Sequence, residues 1–389
     1  MTTTQRAFVA MLKSAITQQA EPLPEDFSME EVVKQSKSHH IVTALYEGAI
    51  LCGVDPTLPE MRELFLKTCK AMQISAMQML DVERLCSTFD ENGVDYMPLK
   101  GSIMKALYPK PELRMMGDAD ILIRMEQYDK IRPLMQSLNF REKQESDHEL
   151  VWRSEGLYLE LHKHLIPSYN NDFYAYFGTG WERAQLQNGC RYGMTVEDTF
   201  VFLFVHFAKH YRDGGIGCRH VMDLWVYLRT YSELDEAYVE QQLQKLSLLT
   251  FYRNVRRLIA HWFEGAPTDE TVDRISDFVF GGGSWGTVES KTVVQNMRAE
   301  NRAYFGIGGK MAYFWNVLLP PVNKMKEKYT ILKKCPIMLP LLWMWRLITK
   351  LFCRKKSLQW HKEQLDLVSA ESIDSRRREL EAVGLDSDF

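Results

Sequence analysis

Apolar residues along this chain follow two rhythms. From about Gln5 to Phe89 they recur every three or four positions, the period of helices with one buried face. Phe8, Val9, Met11, Leu12 and Ile16 mark a first helix. The run from Met61 is one long amphipathic pattern that stops at Gly93, a residue suited to ending a helix. The period then shortens. Val94–Leu99 predicts a short apolar strand, Gly101–Leu107 a helix opening on a Gly-Ser turn, and Asp118–Ile123 a second strand. Glu126–Leu138 predicts a helix ended by Asn139, and Phe140–Leu165 alternates as two or three strands. From Glu197 onward the helical period returns.

This order predicts an α+β protein with a small mixed sheet set between helical regions. The expected divisions are a helical N-terminal segment over 1–93, a mixed-sheet core over 94–195, a large helical domain over 196–370 and a charged tail over 371–389. Linker-like breaks fall at 167–172, at Gly281-Gly282-Gly283 and at Pro320-Pro321. The tail reads as a solvated helix or frayed end.

The strand parity carries the first chemical signal. Side chains alternate along a strand, so Asp118 and Asp120 share one face while Ala119 and Ile121 take the other. Carboxylates beside a sheet core are costly unless a metal ion, an arginine or a helix N-terminus faces them. In LYLELHKHL, Leu157, Leu159 and Leu161 fall on one face, and Tyr158, Glu160, His162 and His164 on the other. If that strand pairs with the aspartate strand, Glu160 joins Asp118 and Asp120, a set able to hold hard divalent cations. Upstream, Gly101 and Ser102 open a helix directly after a strand, a place that suits phosphate. Lys100 and Arg114 add positive charge there, and Gly117 is a turn residue or a gap left for a ligand.

The helical half holds a second dense stretch. His206 and His210 lie one turn apart with Lys209 beside them, and a following helix carries Arg219, His220 and Asp223. One reading is a core hairpin with Arg219 paired to Asp223. The other is a wall of a substrate cleft. A zinc site is disfavoured, because no HExxH occurs. His39-His40 is read as a structural helix start. Phe280–Gly286 is read as a hinge, since no Lys-Ser/Thr follows at phosphate-loop spacing. Trp343, Met344 and Trp345 are read as core.

Composition narrows the classes. The chain has 389 residues, 46% of them apolar and 25% charged, ordinary values for globular proteins. A net charge of −3 gives no basic field asking for long nucleic acid. Seven cysteines without a CxxC read as reduced thiols in a cytoplasmic protein. The N-terminus lacks a signal peptide's apolar core. The most apolar run, Pro336–Phe352, contains Arg346 and Lys350 and falls short of the ~20 residues that span a bilayer. A buried helix is expected there. Surface contact with a membrane is the alternative, given flanking Lys333, Lys334, Arg354, Lys355 and Lys356.

The ordered set of strand, KGS turn, helix, Arg114, GDAD strand and LELH strand resembles the DNA polymerase β-like nucleotidyltransferase superfamily. The wording LKGSIMKALYP, LRMMGDADILI and GLYLELHKHL more closely resembles a bacterial family of uncharacterised nucleotidyltransferases. It is also similar to nucleotidyltransferase toxins of abortive-infection systems. The motifs cover roughly Val94 to Leu165. The resemblance implies a nucleotidyltransferase core using Mg²⁺ (or Mn²⁺) and an NTP. Asp118 and Asp120 would bind metal, Glu160 would be the third acid that activates the acceptor, and Gly101 and Ser102 would contact phosphates. Lys100 and Arg114 would assist them. His206, His210, Arg219 and Asp223 would face the active site from the helical domain. Two departures stand out: the spacing from the Gly-Ser turn to Asp118 is long, and the third acid is Glu. The acceptor is left open among a small molecule, a protein side chain and RNA. The rival expectations are a silent nucleotide-binding scaffold and a toxin of a two-gene defence pair.

Overall fold

The computed structural model describes residues 1–283, 286–301, 319–320, 322, 325, 329, 331–348 and 370–385. The readings that fall on Ser284, Trp285, Pro321, 349–369 and the last four residues lie outside the described residues.

Four helices come first: α1 (Thr3–Thr17), α2 (Met29–Ser38), α3 (Val42–Leu51) and α4 (Pro59–Glu91). Thr2 and Gln5 form a reciprocal cap on α1. The long pattern predicted from Met61 is the 33-residue α4, with proline in its first turn. Gly93 follows it with φ +60°, as its place after the helix requires. The His39-His40 pair falls between two helices: His39 ends α2, and His40 stands directly before Ile41, the N-cap of α3.

The sheet follows. Strand β1 (Tyr96–Leu99) leads into the one-turn α5 (Gly101–Met104), then β2 (Ala119–Ile123) and α6 (Tyr128–Ser137). Three strands succeed them, β3 (Arg141–Glu145), β4 (Glu149–Arg153) and β5 (Tyr158–His162). After α7 (Asn171–Phe177) come β6 (Gln185–Asn188) and β7 (Arg191–Gly193). The seven strands lie in the order β3-β4-β5-β2-β1-β7-β6. β2 runs antiparallel to β1 and parallel to β5, and β7 runs parallel to β1. The β6–β7 hairpin extends the sheet beyond the strands read from the sequence. Its signal is the Asn188-Gly189 turn, and Asp90 at the end of α4 accepts the Cys190 N–H at 2.8 Å.

Parity divides the sheet cleanly. Ala119, Ile121, Ile123, Leu159 and Leu161 pack with Leu85 and Phe89 of α4 and with Ile131 and Met135 of α6. The opposite face sends Met97, Leu99 and Leu122 into a larger core shared with helices on both sides of it in sequence. That core includes α8 (Val196–Arg212), α9 (Cys218–Thr230), α10 (Glu236–Lys245), α11 (Leu249–Ile259) and α12 (Glu270–Gly282). It includes α1 and α3 as well. Phe8 of α1 meets Phe280 of α12 edge to face at 5.6 Å. The N-terminal helices and the helical half therefore bury one another.

Two expectations about the C-terminal part change. The tail forms a helix, Ala370–Ala382, which buries Ile373 and Leu380, with Val383 and Leu385 beyond it. Apolar positions one turn apart seat it, and the Asn254 side chain of α11 donates to the Val383 carbonyl at 3.0 Å. In the apolar run, the helix Leu339–Ile348 has no buried residue. Leu341, Met344, Trp345 and Ile348 are exposed there. Trp343 is half-buried, its ring N–H donating to the Pro320 carbonyl. No helix among the described residues is long and apolar enough to cross a membrane.

Candidate active site

Above the Met97–Leu122 face of the sheet lies a cavity of about 470 Å³. Its sheet wall is acidic. Strand register places Asp120 of β2 opposite Glu160 of β5, and Asp118 precedes the strand on the same face. Asp120 is buried. Its Oδ1 accepts from Lys100 Nζ at 2.7 Å and lies 2.7 Å from His162 Nε2. The other ring nitrogen of His162 faces His148 Nε2 at 3.1 Å. Burial works to raise the Asp120 carboxyl, but Lys100 and His162 hold it well below its usual range. Asp118 is pushed up by burial and by the Asp120 charge. Glu160 is pushed up to about 8 by burial and by both aspartates. Three carboxylates in one place thus leave negative charge short of partners.

Lys100 reaches Asp120 through a strained backbone. Its φ of +44° and ψ of −112° are rare for a side-chain-bearing residue, a cost of about 1–3 kcal/mol. The next residue is glycine for want of room: a Cβ on Gly101 would lie 2.7 Å from Arg114 Nη1.

The facing wall is helical and rich in nitrogen. His206 and His210 on α8 bring their Nε2 atoms within 3.0 Å, sharing one proton. The His220 ring of α9 lies 5.6 Å from that of His210. Burial and neighbouring positive charge hold all three histidines neutral, His220 down to about 3. Lys209 lines the same wall and is lowered to about 8 by burial and by Lys100. Arg219 completes it, donating to the Met115 carbonyl at 3.3 Å while its Nε has no partner.

A buried ion pair ties the two walls together. Arg114, in the loop before β2, grips Asp223 of α9 with Nε at 3.1 Å and Nη2 at 3.0 Å. Tyr108 donates to the same carboxylate at 2.6 Å, and Lys105 holds the Arg114 carbonyl at 2.9 Å. Asp223 is therefore Arg114's partner rather than Arg219's as the hairpin reading had it.

The sequence model of a family described as an uncharacterised nucleotidyltransferase matches residues 25–264. The chain belongs to this family. The matched range takes in α2 to α11 and both walls of the cavity. Neither the curated proteins nor the solved structures give a significant match.

In this nucleotidyltransferase most of the residues singled out in the sequence gather around one space. Lys100, Gly101, Arg114, Asp118, Asp120, Glu160, His206, His210, Arg219 and Asp223 all line the cavity. Ser102 does not belong to the lining, and its hydroxyl is buried without a partner. Two compact groups of metal-capable atoms occur among the described residues, Asp120–Glu160–His162 and His148–Glu149–His162. Asp118, His206 and His210 are in neither. Oxygen donors from Asp118, Asp120 and Glu160 match the preference of a hard divalent ion. Sequence reasoning put His162 on the acid face without giving it a role. His148 it missed, since a loop histidine before β4 carries no periodic signal.

Proposed function

We propose that this nucleotidyltransferase moves a nucleoside monophosphate from an NTP to a hydroxyl acceptor and releases pyrophosphate, with Mg²⁺ or Mn²⁺ held by Asp118, Asp120 and Glu160. The observation that carries the reading is the register of Asp120 against Glu160, across one cavity from the nitrogen-rich wall. Its volume of about 470 Å³ lies in the range of small-molecule sites. The divalent ion, when bound, supplies charge neutralisation on the transferring and leaving oxygens.

The chain's own residues divide the remaining work. Lys209 and Arg219, with His220 and one histidine of the His206–His210 pair as neutral donors, receive the triphosphate on the helical wall. Gly101 makes room for Arg114, whose charge is committed to Asp223 and which so acts by fixing the turn. Glu160 takes the acceptor's proton as its oxygen attacks the α-phosphorus. The bond from that phosphorus to the β-bridging oxygen breaks, and pyrophosphate leaves with the electron pair.

Thermal unfolding with Mg²⁺ and each NTP, on wild type and Asp120→Asn, tests this. A ligand at about 100 times its Kd adds ~2.7 kcal/mol to stability. A Mg²⁺-dependent rise with one NTP, absent in the variant and accompanied by pyrophosphate release once an acceptor is supplied, is the expected result. NTP binding that never yields pyrophosphate with any acceptor class would favour the scaffold reading. Growth arrest on expression, abolished by Asp118→Ala, would favour the toxin.

A further inference from the structure

One carboxylate oxygen in the acid group is already saturated. Oδ1 of Asp120 has Lys100 Nζ and His162 Nε2 both at 2.7 Å. His148 Nε2 sits on the other ring nitrogen of His162, and His148 Nδ1 has no partner. The network then assigns the protons: His148 donates through Nε2 to His162, and His162 donates through Nε2 to Asp120. Two N–H donors occupy both lone-pair directions of Oδ1. A two-ion clamp needs ions about 3.5–4 Å apart, bridged by a carboxylate giving one oxygen to each. Asp120 has only Oδ2 to give.

We propose that the Lys100 ammonium is a built-in cation filling one of the two cation positions of the acid group, so that the site takes a single divalent ion on Asp118, Glu160 and Oδ2 of Asp120. This rests on the nucleotidyl-transfer reading of the site. It gives Lys100 a different task from the phosphate contact expected from sequence. The side chain is 16% exposed and is aimed at the strand. Its positive charge is favoured by Asp120, Glu160 and Asp118 against the cost of burial. The left-handed backbone at Lys100 is the local distortion that delivers the ammonium there.

Mn²⁺ binding followed by electron paramagnetic resonance, with Mn²⁺ as the sole ligand, counts the ions. Glycine takes a φ of +44° without strain, so Lys100→Gly removes the ammonium without opposing the turn. Wild type is expected to bind one Mn²⁺ that Asp120→Asn weakens, Lys100→Gly two, and Lys100→Arg one. Two ions in wild type, or one still in Lys100→Gly, would overturn the lysine assignment and leave nucleotidyl transfer standing. No Mn²⁺ on any of these chains would overturn both. Metal-free thermal midpoints give a second readout. Lys100→Met, which keeps the stem and loses the charge, is expected to melt lower than wild type and to recover with Mn²⁺. An unchanged metal-free midpoint would return Lys100 to the phosphate-ligand role.

Discussion

The two walls of the cavity are built by different means. On the sheet side, three acids stand at positions fixed by strand period and register, and Asp120 is hydrogen-bonded on both sides. On the helical side, His206, Lys209, His210, Arg219 and His220 come from two helices, and two of their nitrogens, Arg219 Nε and His220 Nδ1, are buried without partners. The first wall has its central carboxylate already partnered, by Lys100 and His162. The second keeps donors in reserve, as a wall does that awaits a polyanion. Opposite charges held apart by a cavity polarise it, and that polarity is what the proposed metal–triphosphate would use.

The contrast can be broken hardest at Asp120. Asp120→Asn removes the charge that Lys100 and His162 share. Pyrophosphate release is expected to fall on the order of 10³-fold, with an unchanged far-ultraviolet circular dichroism spectrum. Next comes the tie between the walls. Asp223→Ala leaves the buried Arg114 guanidinium unpaired, and a loss of about 3–5 kcal/mol is expected in urea unfolding.

Acid then sharpens the difference, because the buried histidines must stay neutral. His39, held down to about 4 by burial, and His162, His206, His210 and His220 all have folded values below the ordinary 6.5. Unfolded, these histidines bind protons that the folded ones refuse, so their contribution to stability is full above pH 6.5 and falls as pH drops below it, while Glu160, held up to about 8, offsets part of that loss. His39 alone accounts for a loss on the order of 3 kcal/mol by the time pH reaches 4. A thermal midpoint that held constant from pH 7 to pH 5 would contradict this. The smallest effect is expected at Lys209. Lys209→Met should raise the NTP KM about tenfold, as for one lost charged hydrogen bond, with kcat and stability nearly unchanged.

The acid wall was legible because it obeys a period of two. Asp118 and Asp120 could be placed on one face from LRMMGDADILI, and Glu160 on the polar face of LYLELHKHL, but the pairing of β2 with β5 that brings them together stood only as a condition until the fold supplied it. The helical wall was half legible. Helical spacing gave the His206–His210 pair, yet no rule of spacing separates a core hairpin from a cleft wall. Arg114 shows the limit most clearly. It reads as a phosphate ligand in sequence, and in the fold its charge is spent on Asp223, 109 positions away.

Local physics written in the chain therefore determined the elements and the acid face: hydrophobic period, a glycine after α4, and strand parity at Asp118 to Asp120. Only the tertiary structure decided what those acids meet. The partners of Asp120, the embrace of Arg114 and Asp223, and the docking of the Ala370–Ala382 helix all join residues distant in sequence. Such contacts depend on how whole elements pack, and burial there sets both their strength and their charge state.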